Sequence, residues 1–265
     1  MAINRADIAK QLLPGLNAIF GLEYGSVDNE TDILFETENS DRAFEEEVLM
    51  AGFATAPTKS EGAAVQYDTA KENYTARYTH ETVALAYAIT EEAIEDNLYD
   101  TFAKIRTRAL ARAMANTKQT KGANIFNNAF NTAYLGGDGA AMCSNSHPTI
   151  SDGDQDNLLA AADLFTAERI LNSPGQTGGD NNDINAVNNM GLVPKGYYVN
   201  RRFTDANAYF ILTDVPNGTK MFIRSPLGTK MEPDFDTGNL RFKARERYSF
   251  GWSDWRGIFG SAGSS

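Results

Sequence analysis

Residues 241–260, RFKARERYSFGWSDWRGIFG, read at period two. Arg241, Lys243, Arg245 and Arg247 fall on one side and Phe242, Ala244, Tyr248 and Phe250 on the other, with Glu246 the exception in the apolar row. Such alternation predicts a half-buried strand. The runs GYYVN, AYFILT and KMFIRS predict further strands from Gly196 onward, and VPNGT at 215–219 predicts a hairpin-type turn, because Asn-Gly readily takes positive φ. Nearer the start, residues 54–89 hold two alternating runs about a turn near Ala70–Asn73. The second run places Tyr74, Ala76, Tyr78, Val83, Leu85, Tyr87 and Ile89. A projecting hairpin is expected here, and a lone hairpin is marginal in water, so it needs support from outside itself.

Helical periodicity is strongest after Thr90. Ile94, Leu98, Phe102, Ile105, Ala109 and Ala113 recur at spacings of four, four, three, four and four behind a Thr cap and Glu91-Glu92. A helix of about 40 residues, or about 60 Å, is expected, with Gly122 as the place where it bends or breaks. Asp96 and Asp100 sit in its first half and Lys104, Arg106, Arg108, Arg112, Lys118 and Lys121 in its second, as the macrodipole favours. RADIAKQLLPGL predicts a short helix broken at Pro14-Gly15, and residues 23–40 an extended arm. SDRAFEEEVLMAG predicts another helix, capped by Ser40 or Asp41 and stopped at Gly52. Residues 135–163 and 173–189 read as loops.

Composition narrows the class. The 265 residues are 42% hydrophobic and 22% charged, ordinary for a soluble globular protein with a sizeable core. No apolar run is long enough to cross a bilayer, and Asp7 interrupts the N-terminal stretch, so neither a membrane span nor a signal peptide is expected. The single cysteine, Cys143, excludes an internal disulfide framework, and a cytosolic setting is expected. The net charge is −11 but unevenly spread. Residues 23–58 carry ten acids against Arg42 alone, whereas 195–256 carry eleven bases against seven acids. Such regions can meet within a subunit or between neighbours.

Catalytic constellations are thin. Asp96 and Asp100 lie on successive turns of a helix surface, where carboxylates are ordinarily solvated. DGDQDN at 152–157 lacks the twelfth-position Glu of a calcium loop and reads as a turn. LGGDGAA has no Walker lysine, and His147 precedes Pro148 in a loop. No cofactor and no metal are expected. The stripe Arg241/Lys243/Arg245/Arg247 with Tyr248 and Trp252 could touch phosphate and stack a base, but an acidic protein repels DNA.

Two stretches carry a family resemblance. KSEGAAVQYDTA with YTARYTHETVALAYAITEEAIEDNLYD, followed by the long helix, resembles the major capsid proteins of tailed phages. So does VPNGTKMFIRSPLGTKMEPDFDTGNLRFKARERYSFGWSDWRGIFG. The likeness runs from about Asp41 to Gly260 and is greatest to the Mu-like major head subunits. It implies an α+β Hong Kong-type capsid fold shared with herpesvirus floors and encapsulins. The implied parts are an N-terminal arm (1–53), an extended hairpin loop (54–89), a spine helix and peripheral domain (90–145), an axial domain (146–195) and peripheral-domain strands returning to the axial domain (196–265). The family has a helix and a strand of the axial domain where Leu164 here abuts Phe165, so either this axial domain is unusually small or, the favoured reading, residues are missing at that join.

The resemblance implies a shell protein that assembles with itself into hexamers and pentamers around double-stranded DNA held only weakly. Portal, scaffold and decoration proteins are further partners of that family, and no membrane is involved. It implies a location in the virion after assembly in the host cytoplasm. A projecting hairpin, an acidic arm and a basic strand suit a heterologous interface that closes into rings. Candidate interface residues are Glu45, Glu46, Glu47, Lys59, Glu61, Arg77, His80, Arg241, Lys243, Arg245, Arg247, Trp252, Asp254 and Arg256, with Arg245 and Arg247 the leading cations and Glu45–Glu47 their acceptors. The alternatives are an encapsulin-like nanocompartment and, in another class, a carboxylate-dependent hydrolase.

Overall fold

The alternating segment is one of two inner strands of a four-stranded sheet, and both of its faces take the expected parts. The computed structural model describes residues 5–50, 55–62, 64–67, 71–95, 99–150, 153–159, 196, 198–234 and 236–263. The elements in order are α1 (Arg5–Gly25), α2 (Thr31–Leu34), β1 (Glu36–Asn39), β2 (Phe44–Met50), β3 (Glu72–Thr79), β4 (Glu81–Ile89), α3 (Glu91–Glu95) and α4 (Tyr99–Asn127). They continue as β5 (Tyr209–Leu212), β6 (Thr219–Pro233), β7 (Leu240–Trp252), a 3₁₀ turn at Trp255–Gly257 and β8 (Ile258–Ser261). The architecture is mixed α+β, as expected, and the chain divides into two compact units.

The first unit comprises Met1–Glu45, Tyr78–Gly122 and Lys220–Gly251. Its sheet has the order β1-β6-β7-β4, with β1 parallel to β6 and β4 antiparallel to β7. Leu240, Phe242 and Ala244 of β7 are buried with Ile89 of β4, Leu16 and Phe20 of α1, and Ala103, Leu110, Ala111 and Met114 of α4. Each large side chain removed from water there contributes about 1.5–3 kcal/mol. The Tyr87 ring lies tilted 5.5 Å from Phe242 and its hydroxyl meets Thr107 Oγ1 at 2.6 Å. Glu246, the exception in the row, is buried too. Tyr24 Oη donates to its Oε2 at 3.4 Å, while its Oε1 has no hydrogen-bond partner among the described residues. Burial raises its pKa against the opposing pull of Lys118.

Four expectations change in this unit. The α4 face that packs is not the one marked by Phe102 and Ile105, which are each 56% exposed. The buried row, Ala103, Thr107, Ala111 and Ala115, lies one residue or about 100° round. Small side chains let the helix axis close onto the sheet, where Phe and Ile would hold it off. Second, α4 is 29 residues, about 44 Å, and it runs through Gly122 rather than breaking there. A Cβ at Gly122 would lie 2.8 Å from Thr31 Cγ2, so glycine serves close approach to α2. Third, α1 passes unbroken through Pro14-Gly15, its Leu13, Leu16, Phe20 and Tyr24 all packing on the core. That burial outweighs the cost of an internal proline, about 3 kcal/mol. Fourth, residues 30–40 are not a free arm: Glu30, Thr31, Leu34, Phe35 and Ser40 are buried, and β1 forms a sheet edge.

The helix expected in SDRAFEEEVLMAG is instead β2, paired with β3. A short charged run fits either period, and a strand partner decided it. Of the two runs expected about a turn near Ala70–Asn73, the first holds no strand in its described residues, 55–62 and 64–67, and the second divides at His80 into β3, paired with β2, and β4, paired with β7.

The second unit comprises Glu46–Arg77, Ala123–Thr219 and Trp252–Ser265. Antiparallel β5 and β8 back a cluster of Phe126, Phe130, Phe203 and Phe210 with ring centroids 5.1 to 5.7 Å apart. His147, read as a loop residue, is wholly buried. Its ring stacks 4.8 Å from Trp255, Nδ1 lies 2.6 Å from Asp138 Oδ2 and Nε2 lies 2.9 Å from Asn157 Oδ1. Asn157 Oδ1 also accepts from Ser144 N, and its two Nδ2–H groups are shared among the carbonyls of Met142, Trp255 and Ile258 at 2.8 to 3.1 Å. One amide thus ties three backbone segments together. Two glycines of LGGDGAA serve packing, since a Cβ at Gly136 would strike the Trp252 indole and one at Gly137 the Thr75 carbonyl, while Gly139 takes φ +78. Asn217 takes φ +63 as expected for VPNGT, but that turn joins strands of different sheets and makes no hairpin. Cys143 is a free buried thiol whose pKa burial pushes up to about 12. The loop at 173–189 and the Leu164–Phe165 join lie outside the described residues.

Three outcomes follow for stability. Phe242→Ala should cost about 3–5 kcal/mol in denaturant unfolding, whereas Phe102→Ala should cost less than about 1 kcal/mol. Asn157→Leu should cost at least about 2 kcal/mol, read as a fall in the melting midpoint, because buried carbonyls lose their donor. Glu246 has a folded-state pKa above its ordinary range, so its stabilising contribution is complete at acid pH and is lost as pH rises. Glu246→Gln should therefore stabilise by about 1 kcal/mol at about pH 7, and the gain should vanish near about pH 3.5, as thermal unfolding at the two pH values would record.

Candidate subunit interface

Opposite its core side, the sheet of the first unit presents cations. Along β7, Arg241, Lys243 and Arg245 are exposed and Arg247 is half-buried, standing at alternate positions about 6.8 Å apart. The cross-strand partners on β4 are small: Thr82 faces Arg247, Ala84 faces Arg245, Ala86 faces Lys243 and Ala88 faces Arg241. On β6, Leu227 and Met231 turn to the core while Pro226, Gly228 and Lys230 are exposed. A Cβ at Gly228 would sit 3.9 Å from the Arg245 carbonyl. The cations therefore rise from a floor of alanine and glycine.

Both ends of this row are engaged. Arg241 forms an ion pair with Asp234, whose pKa is lowered by the hydrogen bonds from Arg241 and Thr237. Beyond Arg247 the face is closed by His80, which is buried rather than presented to a neighbour. Its Nε2 lies 2.8 Å from Ser40 Oγ, itself 2.7 Å from Glu45 Oε1, and its Nδ1 lies 2.9 Å from Ser249 Oγ. With Ser40 donating to Glu45, Nε2–H donates to Ser40 and Nδ1 accepts from Ser249, the pattern of a neutral ring. Burial, then the nearby Arg247 charge, lowers the His80 pKa. Arg247 Nε is buried without a hydrogen-bond partner among the described residues. Between these ends Lys243 and Arg245 are exposed and form no ion pair among the described residues.

The other candidates divide between satisfied and exposed groups. Arg77 Nε and a terminal guanidinium nitrogen bind Glu46 Oε1 at 2.8 and 2.5 Å. Ser253 Oγ donates to Glu47. Trp252 covers Gly136 and meets His147 edge-on at 6.4 Å. Asp254 is buried, accepts from Arg256 N at 2.9 Å and holds the Arg256 guanidinium at 2.6 Å. Lys59 and Glu61 lie in an exposed segment without strand or helix. Acids of the expected arm also find bases nearby: Glu23 pairs with Arg112 at 2.5 Å, and Glu38 with Lys220 at 2.7 Å. Sequence reading missed the small floor, although Ala84, Ala86 and Ala88 stand in register in VALAYAI.

Comparison with known proteins gives the same direction. A search of curated proteins found no match. A family model described as phage capsid protein matches residues 71–260. Among solved structures, the procapsid of bacteriophage JBD30 superposes with a TM-score of 0.62 at 14% identity, covering 99% of this chain and 77% of that one. The bacteriophage JBD30 capsid gives 0.55 at 13% identity, covering 89% of this chain and 65% of that one. Its capsid decorated with minor capsid protein trimers gives 0.51 at 14% identity, covering 89% and 64%. At these identities the structural likeness is one of fold. With the family match spanning most of the sequence, the chain belongs to the phage capsid protein family and is a head-shell protein.

Proposed function

We propose that the chain is the principal, non-enzymatic subunit of an icosahedral head, assembling with its own copies into hexamers and pentamers around double-stranded DNA. The observation that carries this reading is surface left uncovered by a single chain. In the first unit Lys243 and Arg245 stand unpaired among the described residues on an open sheet face, and Phe102 and Ile105 stand exposed along α4. On β2, Phe44, Val48 and Met50 are exposed at alternate positions. A solitary soluble protein has little reason to present such sets of large apolar side chains.

Within this reading α4 is the spine helix. Of the loop expected at 54–89, the part before β3 lies over a neighbour, in keeping with the exposure of every described residue from 55 to 67 and of Tyr67 at 93%. Residues 90–145 and 196–265 supply the peripheral domain and 146–195 the axial domain. The sequence stretches quoted above favour the Mu-like branch. Assembly takes place in the host cytoplasm, with portal, scaffold or decoration proteins as further partners. Net acidity keeps packaged DNA loosely held.

Expression of the chain should yield closed particles that elute in the void volume and appear as shells by electron microscopy. A monomer at all concentrations and salts would overturn the reading. Nuclease-protected DNA in particles from infected cells is expected, whereas protected enzyme in its place would make the shell a nanocompartment.

A further inference from the structure

The exposed Lys243 and Arg245 form a window with a defined shape. Arg241 is held by Asp234 on one side, and the His80–Ser40–Ser249 contacts close the other. The walls are low, because the neighbouring positions are Ala84, Ala86 and Gly228. An extended chain can lie across such a floor. To meet both cations it must carry acids at alternate positions, since two residues of strand span about 6.8 Å on each side of the contact.

The acids of residues 23–58 do not supply this pattern. Glu23, Glu38, Glu45, Glu46 and Glu47 are taken by Arg112, Lys220, Ser40, Arg77 and Ser253, and Glu30 is buried. Asp234, two residues before Asp236, is taken by Arg241. Among the described residues, Asp154 and Asp156 are an alternate pair in which both acids are exposed and neither has a hydrogen-bond or ion-pair partner. They flank Gln155, whose N–H and C=O both bond to the His147 backbone at 2.9 and 2.8 Å. That bridge holds the segment extended and sets the two aspartates on the side opposite Gln155. It is anchored in turn by the buried His147–Asn157 contacts.

We infer that the acidic turn at Asp154–Asp156 of one copy docks on the Lys243–Arg245 window of a second copy. The contact is heterologous, one surface meeting a different surface, as ring closure requires. This rests on the shell reading above. Nucleic acid is the poorer occupant, since the chain carries a net charge of −11 and the low walls offer an extended backbone no exposed aromatic ring on which to stack bases.

Three forms of the full chain decide it: Lys243→Glu/Arg245→Glu, Asp154→Lys/Asp156→Lys, and all four changes together. Wild type should assemble, each double variant should lose at least about tenfold in shell yield by sedimentation and micrographs, and the quadruple variant should recover shells. Unchanged circular dichroism and melting would show that the variants fold. As a second reading, Arg245→Cys/Asp154→Cys particles treated with a short bismaleimide, which alkylates both thiols across the gap, should give chain-to-chain ladders on denaturing gels, with Cys143 buried and silent. Normal yield from either double variant overturns the inference alone, as does failure of the quadruple variant to recover or absence of ladders. Normal shells that retain less DNA after Lys243→Glu/Arg245→Glu assign the window to nucleic acid and also overturn it. A wild type that never assembles removes the shell reading, and this inference with it.

Discussion

A strand cannot bury one face without presenting the other, and β7 puts that constraint at the centre of the first unit. The pleat that sends Leu240, Phe242 and Ala244 into contact with α1 and α4 necessarily sends Lys243 and Arg245 the other way. A one-residue slip would bury arginines and expose phenylalanine, so register is enforced by the cost of desolvating charge. The core and the candidate interface are therefore two consequences of one alternation. Glu246 shows the limit of the rule: the pleat buries it regardless of chemistry, and its pKa rises in response.

The way α4 packs shows that size can outrank hydrophobicity. Its sequence offers an apolar stripe of large residues and a second stripe of alanines with Thr107. The small stripe meets the sheet, where close approach of Ala103 and Ala111 lets Leu110 and Met114 reach the same core. Phe102 and Ile105 are left outward, and an outward apolar stripe on a shell protein is surface available to a neighbour. The acidic and basic regions behave in a comparable way. Much of their complementarity is used inside the chain, through Glu23 with Arg112 and Glu38 with Lys220, and what remains is smaller and more specific.

The second unit depends on a different device. Residues 135–159 have little regular structure, yet they are held by Asn157, which joins three backbone segments, and by His147 stacked on Trp255. Buried polar groups with every partner in place give an irregular segment a single conformation. That is how a turn without a helix or long strand of its own can present Asp154 and Asp156 in a fixed way.

Sequence alone determined the character of β7, the positive φ at Asn217, the existence of a long helix after residue 98 and the family. These depend on short-range periodicity or on local stretches that survive as words in the chain. Tertiary structure decided what periodicity leaves degenerate. The segment FEEEVLM fits a helix or a strand until β3 lies beside it. Pro14 breaks a helix unless burial of Leu16 and Phe20 holds it together. The α4 stripe that packs is chosen by the depth of the groove it must enter. The candidate site was legible in its cations but not in its floor or its ends. A charge is visible in a single residue, while the smallness of Ala84 and Gly228, the grip of Asp234 and the closure by His80 exist only where distant strands meet.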